Sequence, residues 1–483
     1  MVDMTTTDST MLENIVSAVS GVLTDYVMVT VLLTVALFFT IATRGVQFRM
    51  IGEMCRLLVR SGKRDNDRRA NDAPAHGSIS SFQAFALSIA SRVGTGNLAG
   101  VGTAIALGGP GAVFWMWVIA ILGAASAFVE STLAQLFKVK GEKSFMGGPA
   151  YYILKGLHKR WWAVTFAVLI TLTFGFAFNS VQSNTIADAL NSSFSIPREL
   201  TAWTLCILTL IVIWGGVQRV SRFSEIVVPF MAVAYIILAV IIIALNITHF
   251  PAVMAMIVKN AFGFDEALGG SIGAAMIMGI KRGLFSNEAG EGSTPNAAAT
   301  ASVSHPVKQG LIQTLGVYTD TLLVCTATAF IILCSGIFMD GHDGIVLTQH
   351  AIDAGLGTGS NIGSTFVSIA IFFFAFTSII ANYYYGETNI RFIRNNDTLI
   401  NIYRLLVGGI VYAGAVMSLD LVWGFADITM ALMTLCNLAA IVMLGKYAIR
   451  LLNDYRAQRR RGLDPVYHSS TIPEIAPETE CWE

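Results

Sequence analysis

The lengths of its hydrophobic runs constrain this chain more than any other feature. Apolar residues fall in separate stretches of about 18–25, the length a helix needs to cross roughly 30 Å of hydrocarbon. Apolar types make up 54% of the 483 residues and charged types only 13%. That is too little charge to cover the several soluble domains that such a length would otherwise suggest. The runs define eleven candidate spans, at about 22–43, 79–107, 111–137, 161–187, 202–216, 224–246, 267–299, 306–334, 362–385, 400–418 and 421–446. The expected fold class is all-α integral membrane.

Positive charge sets the orientation. Alternate loops hold Arg44 to Arg69, Lys138 to Arg160, Arg219 with Arg222, Lys308, Arg391 to Arg404, and Lys446 to Arg461, whereas only Arg198 and Lys259 fall in the others. The positive-inside rule puts the rich loops in the cytoplasm, so the N-terminus is expected outside and the C-terminus inside. No Lys or Arg precedes Arg44, so the first run lacks the positive region of a secretory signal. The expected division is a short outside segment 1–21, a membrane domain 22–446 and a cytoplasmic tail 447–483. Both tails are too short to fold alone, and they are expected to be flexible.

Other chemistry is sparse. Basic and acidic residues balance at 31 each, which gives no overall field for nucleic acid. The six cysteines are scattered without a CxxC pair, and the seven histidines lie in loops or at segment ends. Neither pattern suggests a metal or haem centre inside the membrane, nor an organic cofactor.

Two spans, 79–107 and 267–299, are unusually long and are interrupted midway by glycines and polar residues: Val93-Gly94-Thr95-Gly96-Asn97 and Gly279-Ile280-Lys281-Arg282-Gly283. They lie five spans apart, so the second enters from the opposite side. This is the pattern of a five-plus-five inverted repeat, 79–246 and 267–446, behind one extra helix, 22–43. Matched breaks point to a midplane binding site; a single glycine would more simply serve helix packing. Unwinding at Gly94, Thr95, Gly96 and Asn97 exposes amides and a positive dipole end to a carboxylate. Asn97 serves equally well as an N-cap of the following half-helix. Thr377 and Ser378 place two hydroxyls in another span; they either bond back one turn or join carbonyls of helix 79–93 around Na⁺. Intramembrane charges are costly, and Arg92, Glu130, Lys281, Arg282, Glu288, Glu291, Asp320 and Asp427 are expected in ion pairs, gates or ligand contacts. Phe174, Gly175, Phe176, Met278, Phe285 and Trp423 are candidate cavity walls, although such residues more often face lipid or core.

These stretches resemble the alanine/glycine:cation symporter family. The resemblance rests on Gly108 to Trp117 (GGPGAVFWMW), Arg92 to Gly100 (RVGTGNLAG), Gly147 to Tyr152 (GGPAYY) and Arg282 to Gly290 (RGLFSNEAG), and it spans residues 79 to about 440. It implies a leucine-transporter-like fold with an added N-terminal helix, in the plasma membrane of a prokaryote. The activity it implies is Na⁺-driven, or in some members H⁺-driven, uptake of alanine or glycine, with lipid as the other partner. It also implies a substrate site from Gly94 to Asn97, Gly175, Phe176, residues around Met278, Trp423 and Thr429, and a Na⁺ site from the carbonyls of Ala90 and Val93 with Thr377 and Ser378. Two departures stand out. Cys436-Asn437 replaces a common Pro-Asn, which should straighten the last helix, and Met430-Ala431 follows Thr429 where glycine is commoner. Competing classes fit less well: an intramembrane enzyme lacks a catalytic cluster, and a passive channel does not need matched breaks. The sequence leaves open alanine against glycine, Na⁺ against H⁺, and oligomeric state.

Overall fold

The computed structural model describes residues 18–71, 79–141, 144–264, 271–357 and 361–482, so most of the expected 1–21 segment lies outside the described residues. In chain order the main helices are α1 (Ala18–Ala42), α2 (Ile51–Asn71), α3 (Ser81–Arg92), α4 (Gly96–Gly108), α5 (Ala112–Leu136), α6 (Pro149–Leu157), α7 (Arg160–Phe194), α8 (Arg198–Ile213) and α9 (Gly216–Leu245). They continue with α10 (Phe250–Ala261), α11 (Ile272–Asn287), α12 (Thr294–Ala299), α13 (Pro306–Ser335), α14 (Gly344–Leu356), α15 (Ile362–Ile393), α16 (Asp397–Val416) and α17 (Leu419–Arg460).

Local signals explain several boundaries. Ser80 and Gln83 form a reciprocal capping box at the start of α3, with both bonds at 3.1 Å. Asn396 accepts from the Thr398 and Leu399 amides at the start of α16. Pro149 and Pro306 open α6 and α13, where a missing N–H costs nothing. α17 runs unbroken through Cys436-Asn437, as expected for a helix without a proline there.

The chain is a multi-pass membrane protein. Seven helices (α1, α5, α7, α13, α15, α16 and α17) are long and apolar enough to cross a bilayer, and an eighth span arises if the pair Pro229–Leu245 and Ile247–Ala261, bent by 76°, is counted as one. The other expected spans, at 79–107, 202–216 and 267–299, are built from shorter pieces: α3 with α4, α8, and α11 with α12. One group of helices gathers around α5, which packs against α13, α11 and α1. Another gathers around α7, which packs against α16 and α15. α3 and α12 lie together and α3 touches α15, so the broken helices sit where the two groups meet.

Two expectations need correction. The second break is not at Gly279–Gly283: α11 continues through both glycines to Asn287. A Cβ on Gly279 would overlap the Ala112 carbonyl, and one on Gly283 would lie 2.8 Å from Ile119 Cγ2, so these glycines let α11 lie close against α5. The break falls instead at Glu288 to Ser293, where Glu288, Gly290 and Gly292 take φ of 55°, 92° and 85°, a region that favours glycine.

The C-terminal tail is also docked rather than loose. Tyr467, Ile472, Ile475 and Trp482 are buried. The Tyr467 amide donates to the Ser304 carbonyl at 2.9 Å, and the Trp482 indole donates to the Gln135 carbonyl at 3.1 Å. Asp464, Glu474 and Glu480 pair with Lys308, Arg450 and Lys155. A short tail cannot make its own core, but these four apolar side chains use the face that the helix ends provide.

Candidate functional site at the paired helix breaks

α3 ends at Arg92, and Val93 turns to φ −80°, ψ 93° before α4 starts at Gly96. Close approach requires both glycines of this break. A Cβ on Gly94 would overlap the Ser378 hydroxyl and lie 2.8 Å from Gln182 Oε1; one on Gly96 would lie 3.0 Å from Ser286 Cα and 3.1 Å from the Phe285 ring. Asn97 ties the break together. Its Oδ1 accepts from the Gly94 amide at 2.9 Å, while its Nδ2 donates to Asp320 Oδ1 at 2.7 Å. The Thr95 amide donates to Gln182 Oε1 at 3.0 Å. Thr95 Oγ1 is buried without a hydrogen-bond partner. The first amides of α4 have no acceptor within their own helix and carry its positive dipole end.

Beside the break, oxygen atoms converge. Ser378 Oγ lies 2.8 Å from the Ala90 carbonyl, 3.4 Å from that of Val93 and 3.0 Å from that of Phe374. Thr377 Oγ1 donates to the Phe374 carbonyl at 2.8 Å, so its hydroxyl makes the local bond of a helix threonine while its lone pairs remain available. Three carbonyls and two hydroxyls, with no carboxylate, suit a hard monovalent cation.

Aromatic rings lie on the other side. Phe285, which faces Gly96, lies 4.5 Å from the Phe178 ring and 4.7 Å from that of Trp423. The Arg282 guanidinium sits 3.9 Å over Trp423 and meets both oxygens of Asp427 at 3.1 Å. Lys281 bridges Asp427 at 3.1 Å and Asp25 of α1 at 3.0 Å. This group is therefore the mutual ion-pair arrangement expected of intramembrane charges, with Asp25 an unexpected member.

The second break is held by a different device. Glu130 of α5 accepts from the Gly290 and Gly292 amides, each at 3.1 Å, and from Asn437 Nδ2 at 2.8 Å. Asn437 also donates to the Gly290 carbonyl at 2.9 Å and accepts from the Tyr152 hydroxyl. Glu288 accepts from Ser91 and Ser293, each at 2.5 Å. Among the described residues Arg92 forms no ion pair; it donates to Thr294 Oγ1 at 2.9 Å and to the Gln313 carbonyl at 3.1 Å. Ser91 and Arg92 thus bind the end of α3 to the second break. Among the described residues neither buried oxygen of Glu291 has a hydrogen-bond partner.

The structure therefore brings Ala90, Val93, Gly94, Thr95, Gly96, Asn97, Thr377 and Ser378 together, with Trp423 joined to them through Phe285. Gly175 and Phe176 sit one step away, against Tyr403. Met278 packs against Gly108, about 18 Å along α4 from Gly96 at 1.5 Å per residue. The Thr429 hydroxyl bonds back to the Phe425 and Ala426 carbonyls. Sequence reasoning missed Phe178 and Gln182, whose i, i+4 spacing on α7 puts them on one face, and it undervalued Asp320, which holds Asn97, Ser286 and Thr321 together.

The model of the sodium:alanine symporter family matches residues 9–469. The chain belongs to that family. Among similar family proteins are two from Bacillus subtilis. The amino-acid carrier protein AlsT is 50% identical, with 94% of each chain covered. The probable sodium/glutamine symporter GlnT is 49% identical, over 98% of this chain and 96% of its own. Among solved structures, MhsT in complex with L-phenylalanine matches with a TM-score of 0.53 at 13% identity, covering 83% of this chain and 93% of its own. That likeness shows a shared fold and nothing about substrate.

Proposed function

We propose that this family member is a secondary active symporter that couples inward Na⁺ movement to uptake of a small neutral amino acid, alanine or glycine, by alternating access. The observation that carries the proposal is the meeting of the Ser378 hydroxyl with the Ala90 and Val93 carbonyls at the first break. A cation there stabilises the unwound strand that holds Gly94 to Asn97, so ion occupancy and substrate affinity rise together. The first amides of α4 and Thr95 Oγ1 receive the substrate carboxylate. Phe178, Phe285 and Trp423 cover it, and the Arg282–Asp427 pair closes above them. The close approach at Gly94 and Gly96 favours a small side chain. α3–α4, α8 and α11–α12 cross the membrane as well, which gives eleven spans, a five-plus-five inverted repeat behind α1, an outside N-terminus and a cytoplasmic tail.

A second reading, with H⁺ as the coupling ion, is favoured by Glu291. Burying an anion with neither oxygen hydrogen-bonded costs far more than burying a neutral acid. One experiment separates these readings. Proteoliposomes are loaded without Na⁺ and given labelled alanine or glycine under an inward Na⁺ gradient or an inward H⁺ gradient, with unlabelled glutamine as competitor. Accumulation under Na⁺ alone supports the first reading, and accumulation under H⁺ alone the second. No accumulation of either amino acid under either gradient defeats both.

A further inference from the structure

Several cations near the ends of α1 and α17 are matched by acids. Arg56 and Arg459 meet Glu53, Arg60 and Lys308 meet Asp464, and Arg450 meets Glu474. A group of four arginines in the same region departs from this pattern. Arg44 and Arg49 flank the short turn after α1. Arg456 and Arg460 lie on the last turns of α17, a 42-residue helix whose length of about 63 Å is twice the hydrocarbon thickness. None of the four pairs with an acid among the described residues.

The segment after α1 lies against the end of α17: the Tyr455 hydroxyl donates to Glu53 at 2.6 Å, and Arg459 meets the same carboxylate at 3.4 Å. Burial, and then the like charges of Arg49, Arg460 and Arg44, lower the proton affinity of the Arg456 guanidinium, with no acid opposing them. Between Arg44 and Arg49, the Phe48 side chain is 51% exposed, and that of the neighbouring Ile51 is 41% exposed. Large apolar side chains bared beside unneutralised guanidiniums suit the boundary between acyl chains and headgroups. Four like charges held together by the fold repel one another unless an anion from outside the chain lies between them.

We propose that Arg44, Arg49, Arg456 and Arg460 form a binding site for the phosphate of an anionic phospholipid, with Phe48 and Ile51 resting on its acyl chains. Guanidiniums bind phosphate oxygens through paired N–H donors, and basic clusters beside membrane helices recognise anionic headgroups. The lipid ties the end of α1 to the end of α17, two helices that already pack together. A zwitterionic lipid carries a compensating ammonium and binds more weakly.

The test uses the purified full chain in nanodiscs of phosphatidylcholine with a minor fraction of phosphatidylglycerol, followed by native mass spectrometry of the lipids retained. The wild type is expected to enrich phosphatidylglycerol over its bulk fraction by about tenfold, and the double variant Arg44→Gln/Arg456→Gln to lose most of that enrichment. Thermal unfolding of the variant in pure phosphatidylcholine, unchanged from wild type, shows that it folds. If it does not fold, the single variant Arg460→Gln is expected to lose about fivefold. Inorganic phosphate added at 10 mM (about the millimolar range that weak anion sites need) to phosphatidylcholine nanodiscs is expected to leave stability unchanged. No enrichment in the wild type, full enrichment in the folded variant, or protection by inorganic phosphate equal to that of the lipid each overturns the proposal.

Discussion

Glu130→Gln tests how the second break is held. In the wild type, one carboxylate oxygen accepts from the Gly290 amide and the other from the Gly292 amide, each at 3.1 Å, and Asn437 adds a third donor. Glutamine keeps the shape but turns one acceptor into a donor, so one of the two glycine amides faces an N–H group and loses its partner. Losing a hydrogen bond to a charged group costs about 1.5–3 kcal/mol, and the surviving bond weakens by about 1 kcal/mol as its acceptor becomes neutral. The break should then open more easily by about 2.5–4 kcal/mol. Local opening is read directly by amide exchange, and at about 1.4 kcal/mol per decade this is about a 60- to 700-fold loss of protection. Exchange mass spectrometry of the peptide covering 288–294 should show it, with the 93–100 peptide as internal control. Equal protection of the 288–294 peptide in variant and wild type would refute the argument that Glu130 holds the break. A uniform loss in both peptides would show general destabilisation instead.

Ser378→Ala should raise the Na⁺ concentration for half-maximal uptake by about tenfold, the lower end for losing one polar contact to a charge. Thr377→Ala should raise it less, because the Thr377 hydroxyl is already committed to the Phe374 carbonyl. Unchanged Na⁺ dependence in both moves the cation elsewhere. Gly279→Ala should cost about 1–3 kcal/mol of stability by overpacking against the Ala112 carbonyl, measured as a lower unfolding midpoint in detergent. Lost transport with undiminished stability would restore a hinge at Gly279. Tail docking should depend on pH through Lys138: burial lowers its ammonium to about 7 from an ordinary 10.5, against a weaker opposite influence of Cys481. The undocked form therefore binds more protons between those values, and docking strengthens as pH rises through that window and weakens towards 7. Proteolysis of the tail should be faster at pH 6 than at pH 9, and cleavage rates independent of pH would exclude Lys138 as the cause.

What could be read from the sequence depended on whether a signal was local. The first break was legible because two glycines and an asparagine within four residues interrupt an otherwise apolar run, and a helix cannot hide that. The second was misplaced by several residues because Gly279 and Gly283 look the same in sequence as hinge glycines. Only the position of α5 reveals them as contact points. Glu288-Ala289-Gly290-Glu291-Gly292 carried the true signal, but its two carboxylates read as intramembrane ion-pair or gating charges rather than as the lining of a buried turn. Lys281, Arg282 and Asp427 each stood out by their cost in the membrane, but nothing in the sequence pairs them, and Asp25 escaped notice because its partner Lys281 is more than 250 residues away. The tail was misjudged for the same reason: Tyr467, Ile472, Ile475 and Trp482 have no helical or strand period, and the surface that buries them belongs to other segments.

The two breaks start from the same backbone problem and resolve it differently. Each interrupts a helix and frees amides that need an anion or an acceptor. At the second break the chain supplies its own carboxylate, Glu130, which takes the Gly290 and Gly292 amides and leaves little there for a ligand. At the first break, neutral side chains satisfy only the Gly94 and Thr95 amides, through Asn97 and Gln182. The carboxylate beside α4, Asp320, is itself occupied by Asn97, Ser286 and Thr321. A repeat that placed equivalent breaks in both halves would offer two anion sites. Filling one from within leaves the first break with the uncommitted amides, while the second is tied through Ser91 and Arg92 to the end of α3.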